Sequence, residues 1–247
     1  MTVMPGRRAS SFIGDSGEGV SSVAIDLLRI FKSRYNYRKI SDMTGFPVST
    51  LTRYLTGKTV PRGKKALQLL ERLLTNLNIE NIVNQHVRYL NGYVDLSQVM
   101  VNPNLVKVLG AYVINEFAGT KITSILSFDM TVLPLASYIS TMTSRPLGIL
   151  AQEPITPNGE SIPIIYPDVD GVHAVSRWLL LGQSRKRESV LILSSKTPPP
   201  KLFNSLHRVL RRRSIEIGGV FMIIANEELL KELSLPPGIK RAYIMKD

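Results

Sequence analysis

The sequence predicts an α/β protein: an all-α N-terminal head followed by a C-terminal open, mostly parallel sheet. Three observations carry this. Residues 37–62, YRKISDMTGFPVSTLTRYLTGKTVPR, have the layout of two short amphipathic helices joined at Gly45. From about Asn91 onward, short and almost wholly apolar runs alternate with helical patterns, the mark of parallel strands covered on both faces. Positive charge is densest at the front: residues 1–80 hold 13 Lys/Arg against 6 Asp/Glu, whereas residues 81–247 hold 18 against 13 over about twice the length.

Residues 1–20 are rich in Gly, Ser and Arg and are expected to be a flexible arm. Arg7 and Arg8 either reach into a DNA minor groove or make no contact at all. Residues 23–33 form an amphipathic helix with Ala24, Leu27, Leu28 and Phe31 on one face. In the helix pair that follows, Ile40 and Ser41 face inward, and Ser41 is small enough to let a second helix approach. Gly45 stands where the chain must turn with positive φ, Phe46 fills the angle, and Leu51 and Tyr54 lay the second helix on the first. This is a helix-turn-helix; the plain alternative is an ordinary αα-hairpin. Gly57 closes the second helix over residues 47–56. Residues 64–77 form a longer helix with Leu67, Leu70, Leu73, Leu74 and Leu77 on one side, which either closes the head or pairs with its copy in a dimer. The expected divisions are an arm at 1–20, a head at 21–80 and a sheet domain at 81–247.

In the sheet domain, strands are expected at residues 93–96, 122–127, 147–150, 190–193, 219–224 and 242–245. Helices are expected at residues 105–117, 134–142, 173–181, 198–212 and 227–233. Pro157-Asn158-Gly159 signals a turn that would pair residue 155 with residues 161–166 as a hairpin.

Composition narrows the function. The apolar share of 44% supports a real core, and the net charge of +12 with a pI of about 10.0 favours a polyanionic partner. Without cysteine there is no disulfide, thiolate nucleophile or cysteine-ligated zinc. His86, His173 and His207 lack partners nearby in sequence, so neither a metal site nor a cofactor is expected. Asp168-Val169-Asp170-Gly171 begins like a calcium loop but lacks the later acidic ligands, and reads as a surface turn. No apolar run reaches the ~18–20 residues that cross a bilayer, and residues 1–19 lack a signal-peptide core. The expectation is a cytoplasmic protein with no membrane partner.

Two pieces of the second half resemble a known family. LSFDMTVLPLASYI at residues 126–139 is similar to the pyrophosphate-loop segment of type I phosphoribosyltransferases: Leu133-Pro134-Leu135-Ala136 is kept, and Thr131-Val132 stand where the family has glycines. VLILSSKTPPPK at residues 190–201 resembles the phosphoribosyl-pyrophosphate motif, with Ser194 and Ser195 at the acid positions and Lys196-Thr197-Pro198-Pro199-Pro200 as the phosphate loop. The order of elements over residues 91–247 looks closest to the orotate enzymes, with residues 155–166 where the family has its mobile loop. The resemblance implies an effector of nucleotide or phosphoribosyl-pyrophosphate type, contacted by Asp129, Met130, Thr131, Ser194, Ser195, Lys196 and Thr197. Asp129 either contacts that ligand or caps the following helix. The departures matter as much. Proline has no N–H to offer a phosphate, and serine cannot replace a carboxylate's charge. Thr197 and Pro198 suit the N-cap and first position of a helix. The expectation is therefore a domain that is not an enzyme.

Bacterial purine repressors join a winged helix to this fold, and archaeal regulators join a helix-turn-helix to an orotate-phosphoribosyltransferase-like domain; the chain resembles the second type. The expected function is a homodimeric, sequence-specific regulator of double-stranded DNA. Ser49, Thr50, Thr52 and Arg53, behind Pro47, would face base edges, with Arg53 on guanine. Lys58, Thr59, Arg62 and Lys39 would contact phosphates. The runs Arg185-Lys186-Arg187 and Arg211-Arg212-Arg213 are either a second nucleic-acid surface or solvated faces. The alternatives are an active phosphoribosyltransferase with a regulatory DNA-binding head, and a sheet domain that only dimerises.

Overall fold

A computed structural model of the chain describes residues 18–90, 93–156, 160–168, 171, 173–182 and 188–247. The expectations for residues 1–17 of the arm, the 157–159 turn, Asp170 and the 185–187 run fall outside these residues, whereas residues 18–20 of the expected arm open a helix. The described chain forms two compact units. One comprises the residues up to Thr120 together with Thr141–Ser144; the other comprises Lys121–Ser140 and Arg145–Asp247.

The first unit is mainly helical. Helix α1 (Glu18–Arg34) buries Val20, Val23, Ala24, Leu27, Leu28 and Phe31. Helix α2 (Tyr37–Thr44) starts at Asn36, whose side-chain oxygen accepts from the Lys39 amide at 2.9 Å, and stops at Gly45 with φ of 67°. Helix α3 (Val48–Leu55) buries Leu51 and Tyr54, and Gly57 leaves it with φ of 71°. Helix α4 (Lys64–Thr75) packs on α1 and α2. Its buried stripe is Ala66, Leu69, Leu70, Leu73 and Leu74, rotated from the expected one, so Leu67 and Leu77 are only half-buried. That stripe is consumed within the unit, so α4 closes the head.

Short helix α5 (Ile79–Asn84) follows, capped by Asn78. Strands β1 (Arg88–Leu90) and β2 (Tyr93–Asp95) make a separate antiparallel ribbon. The expected strand near 93 therefore exists but does not join the main sheet. Helices α6 (Ser97–Met100) and α7 (Pro103–Glu116) complete the unit; Asn102 caps α7, which packs against α1 and α4. That packing draws residues 81–120 into the first compact unit.

The second unit holds β3 (Ser124–Ser127), β4 (Leu147–Ala151), β5 (Ile162–Pro167), β6 (Ala174–Leu180), β7 (Glu188–Lys196), β8 (Ile215–Ala225) and β9 (Lys240–Lys246). They form one seven-stranded sheet in the order β5-β6-β4-β3-β7-β8-β9. Strands β4, β3, β7, β8 and β9 run parallel, while β6 pairs antiparallel with both β4 and β5. Helix α8 (Leu133–Thr143) connects β3 to β4, α9 (Pro200–Arg212) connects β7 to β8, and α10 (Glu227–Glu232) connects β8 to β9. The apolar face of α9, with Leu202, Phe203, Leu206 and Leu210, joins Leu126, Ile164, Leu179, Ile192, Val220 and Met222 in the core.

Three local expectations are corrected. Residues 173–181 are not helical: Ala174–Leu180 is strand β6, because pairing on both edges overrides a pattern in which Ser176 and Arg177 break strict alternation. The hairpin lies one strand later than expected, joining β5 to β6 across residues 168–173, where Asp168 N donates to His173 O at 2.8 Å and Gly171 takes φ of 74°. Helix α9 begins at Pro200 with Pro199 as its N-cap, two residues beyond the expected start. Gly218 is the extra residue of a bulge between β7 and β8; a Cβ there would overlap Ser189 Oγ and sit 2.7 Å from Ile122 Cδ1.

Candidate functional site

The chain carries two candidate sites, one in each unit. In the first, the angle of the helix pair is held by side chains rather than by the turn alone. Ser41 Oγ donates to Phe46 O at 2.7 Å, and Gly45 N donates to Ser41 O at 2.6 Å. Phe46 lies 6.5 Å from the Tyr54 ring, centroid to centroid, and the Arg72 guanidinium sits 5.7 Å from the Phe46 centroid. The same Arg72 donates to Thr44 O, and Asn76 donates to Met43 O at 3.3 Å. Helix α4 thus supplies donors to the orphan carbonyls at the end of α2. An arginine within a leucine-rich helix was the available sequence signal for this clamp.

With Ile40, Leu51 and Tyr54 turned inward, the opposite face of α3 is open. Lys39, Pro47, Ser49, Arg53, Lys58 and Arg62 are exposed, while Thr50, Thr52 and Thr59 are half-buried. Thr52 Oγ1 donates to Val48 O at 2.9 Å, and Thr59 N donates to Arg53 O at 3.3 Å, which keeps the basic loop against the end of α3. Val48 and Val60 add exposed apolar surface.

The second site follows from topology. The chain leaves β3 through α8 toward β4 on one side, whereas β7 lies on the other side of β3, so connections diverge between β3 and β7. Beyond the carboxyl ends of such strands the loops separate and leave a crevice, the usual ligand position of an open α/β sheet. The residues there come from the 128–132 and 194–197 segments, which are the two segments singled out from the sequence.

Asp129 links the two segments. Its Oδ2 accepts from Ser195 N at 2.8 Å, Ser195 Oγ at 3.0 Å and Ser194 Oγ at 3.2 Å, and its Oδ1 accepts from Val132 N at 3.1 Å. Of the two sequence alternatives for Asp129, its bond to the Val132 amide, one residue before α8, is the capping contact. Ser194 is buried, and its one hydroxyl hydrogen is shared between Asp129 Oδ2 and the closer Lys196 O at 2.6 Å. Ser195 is half-buried, and Met130, Thr131 and Lys196 are exposed at the mouth. Thr197 turns the other way: it is buried, accepts from Asn226 N at 2.7 Å, and lies 3.7 Å from Met222 Sδ. It ties β7 to the start of α10 instead of opening α9. Ser127, whose Oγ donates to Asp129 O at 2.8 Å, was missed, as was the Val132 amide. A serine ending an apolar strand was the only trace of the former.

Elsewhere, His86 Nδ1 is 2.9 Å from Ile82 O. Among the described residues no group of three or more His, Cys, Asp or Glu side chains converges as a metal site would need, and no helix is long and apolar enough to cross a membrane.

Comparison with solved structures identifies this architecture. The adenine phosphoribosyltransferase of Rhodothermus marinus superposes with a TM-score of 0.57 at 14% identity, covering 70% of this chain and 100% of that one. The enzyme from Thermoanaerobacter pseudethanolicus gives 0.58 at 10% identity, over 68% and 99%. The fold is that of the type I phosphoribosyltransferases. A Trypanosoma brucei enzyme of the same fold, solved with AMP, pyrophosphate and ribose-5-phosphate, gives 0.57 at 10% identity over 69% and 80%. No protein-family model matches the chain, and no curated protein matches it either.

The shared phosphoribosyltransferase fold extends over more of the chain than the second compact unit alone. It also overturns one expectation. The chain was expected not to be an enzyme, yet the solved proteins that share its fold are enzymes. At such low identity motif residues drift while the fold persists, so serines and prolines at 194–200 do not exclude activity.

Proposed function

We propose that the chain is a sequence-specific DNA-binding regulator, with a head at residues 21–80 that docks on duplex DNA. Residues 81–247 form its phosphoribosyltransferase-like domain, which binds a ribose-bearing nucleotide or phosphoribosyl compound in the β3/β7 crevice and provides the homodimer contact. The observation that carries this reading is the Gly45-hinged helix pair clamped by Arg72, which leaves Arg53 and its neighbours exposed on the face opposite Leu51 and Tyr54. A helix held at a set angle with its N-terminal half free can enter a major groove, where one arginine can take both acceptors of a guanine. Lys58 and Arg62, just beyond the helix, suit phosphates and fix the register.

Selection of bound fragments from genomic DNA tests this reading, first alone and then with nucleotides present. Recovery of a shared sequence, with Arg53→Ala weakening it by about 1–3 kcal/mol while non-specific binding is kept, supports the head as the reader. Equal recovery of all fragments, or operator affinity indifferent to Arg53, defeats it.

The enzymatic likeness favours a second reading: phosphoribosyl transfer in the same crevice, with the head as a regulatory attachment. Release of pyrophosphate from phosphoribosyl pyrophosphate in the presence of a purine or pyrimidine base distinguishes it from ligand sensing alone.

A further inference from the structure

Helix α9 turns a basic face to solvent. Its sequence, PKLFNSLHRVLRR, and the Arg213 that follows it contain no acidic residue. The apolar side of the helix, with Leu202, Phe203, Leu206 and Leu210, is spent on the core, and Val209 packs against the same core. The opposite side ends in Arg208, Arg211 and Arg212, whose i, i+3 and i+4 spacing places them together. All three are exposed, as is Arg213. Among the described residues none of these four arginines lies within 4.0 Å of a carboxylate.

The helix dipole does not account for this cluster. The C-terminus of a helix carries about half an elementary negative charge, which one cation offsets. Like charges three and four residues apart then destabilise the helix. The N-terminal half of the same face is different: Asn204 donates to Glu232 O at 3.2 Å, which sets the acidic α10 beside it. The unbalanced positive charge is therefore confined to the C-terminal end of α9.

Topology extends it. Helix α9 leads through Ser214 into β8, and β4, β3, β7 and β8 are parallel neighbours, so their entry ends share one edge of the sheet. The exposed Lys121 precedes β3 on that edge, and the half-buried Arg145 precedes β4. The acids at the first two positions of these strands are Glu188, which is buried, and Glu216. Three strand spacings give the edge a width of about 14 Å. It lies opposite the carboxyl ends of the strands and is separate from the crevice. A DNA duplex presents about eight phosphate charges over that length. A bilayer surface also needs apolar side chains to insert, and α9 has spent its own on the core.

We propose that Arg208, Arg211, Arg212 and Arg213, with Lys121 on the same sheet edge, bind the phosphate backbone of duplex DNA. This rests on the reading that the chain binds duplex DNA and adds a second contact in the sheet unit, one that holds phosphates without reading bases.

The test is fluorescence anisotropy of the full chain with a labelled random-sequence duplex across a salt series. Arg211→Gln/Arg212→Gln is compared with Lys240→Gln/Arg241→Gln, which removes the same charge from β9, a strand that starts inside that edge because Lys240 pairs with Gly219 rather than Ile215. The logarithm of affinity falls against the logarithm of salt with a slope of about −0.9 for each phosphate neutralised. The α9 pair should flatten that slope by about 1.8 and weaken binding about tenfold or more at low salt, and the β9 pair should leave both nearly unchanged. Circular dichroism checks folding; Arg212→Gln alone, with a change of about 0.9, serves if the α9 pair does not fold. Equal effects of the two pairs, or no effect of the α9 substitutions, overturn the inference and leave the head as the DNA reader. Tighter, α9-dependent binding to vesicles of equal parts phosphatidylcholine and phosphatidylserine overturns it in favour of a membrane surface. No binding of the wild-type chain to any duplex overturns both this inference and the DNA-binding reading.

Discussion

Replacing Gly45 by alanine probes the element on which the head depends. Gly45 has φ of 67°, a region that costs a residue with Cβ about 1–2 kcal/mol. The added Cβ would also lie 2.6 Å from Arg72 Nη1, so the guanidinium must move. Moving it loses the bond to Thr44 O and the stacking on Phe46, together about 1 kcal/mol for a charged group at a largely solvated site. The expected loss is therefore about 2–3 kcal/mol. Urea unfolding followed by helical circular dichroism measures it, with Trp178 emission from β6 as a reporter of the sheet unit. Repeating the substitution in an Arg72→Ala background isolates the backbone part, because the displaced guanidinium is already gone. There the cost should fall to about 1–2 kcal/mol. A loss below about 0.5 kcal/mol, or the same loss in both backgrounds, would refute the clamp.

Thr197→Val removes the acceptor of the Asn226 amide from a buried position and should cost about 1–3 kcal/mol in thermal or chemical unfolding; a neutral result would mean that this bond does not tie β7 to α10. The Lys246 ammonium, 2.5 Å away, hydrogen-bonds Glu227 and holds its carboxyl below the ordinary glutamate value, while Lys246 is raised in return. Whatever this exposed pair contributes is present above the ordinary glutamate pKa and lost as pH falls through the depressed folded value. It is lost again as pH rises through the raised lysine value. Carbon NMR titration should show Glu227 protonating at lower pH, later on acidification, with Lys246 present than in Lys246→Ala; an unchanged midpoint in that variant would contradict the pairing.

The head was legible because its determinants are local. Ile40, Gly45, Leu51 and Tyr54 lie within fifteen residues, and their spacing alone places the turn and both inward faces. The parallel strands were legible for a different reason: burial on both faces leaves runs such as Ser124–Ser127 and Val190–Leu193 with almost no exposed position. Strand β6 was misread because partial exposure left Ser176 and Arg177 in its middle, and only pairing with β4 and β5 makes it a strand. The helix pair's clamp was missed since Arg72 reaches Thr44 from 28 positions away. Thr197 looked like a cap because its neighbours are prolines, but the Asn226 amide claims it.

Residue order alone established a basic helical head with a glycine hinge and an alternating α/β second half. Periodicity and turn chemistry act over a few residues, so they survive without coordinates. Which strands neighbour one another, and hence that Asp129 meets Ser194 and Ser195 across the divergence of β3 and β7, was decided by tertiary structure. Sheet order is a choice among long-range pairings whose hydrogen bonds are alike from strand to strand. Only the packed whole selects one of them.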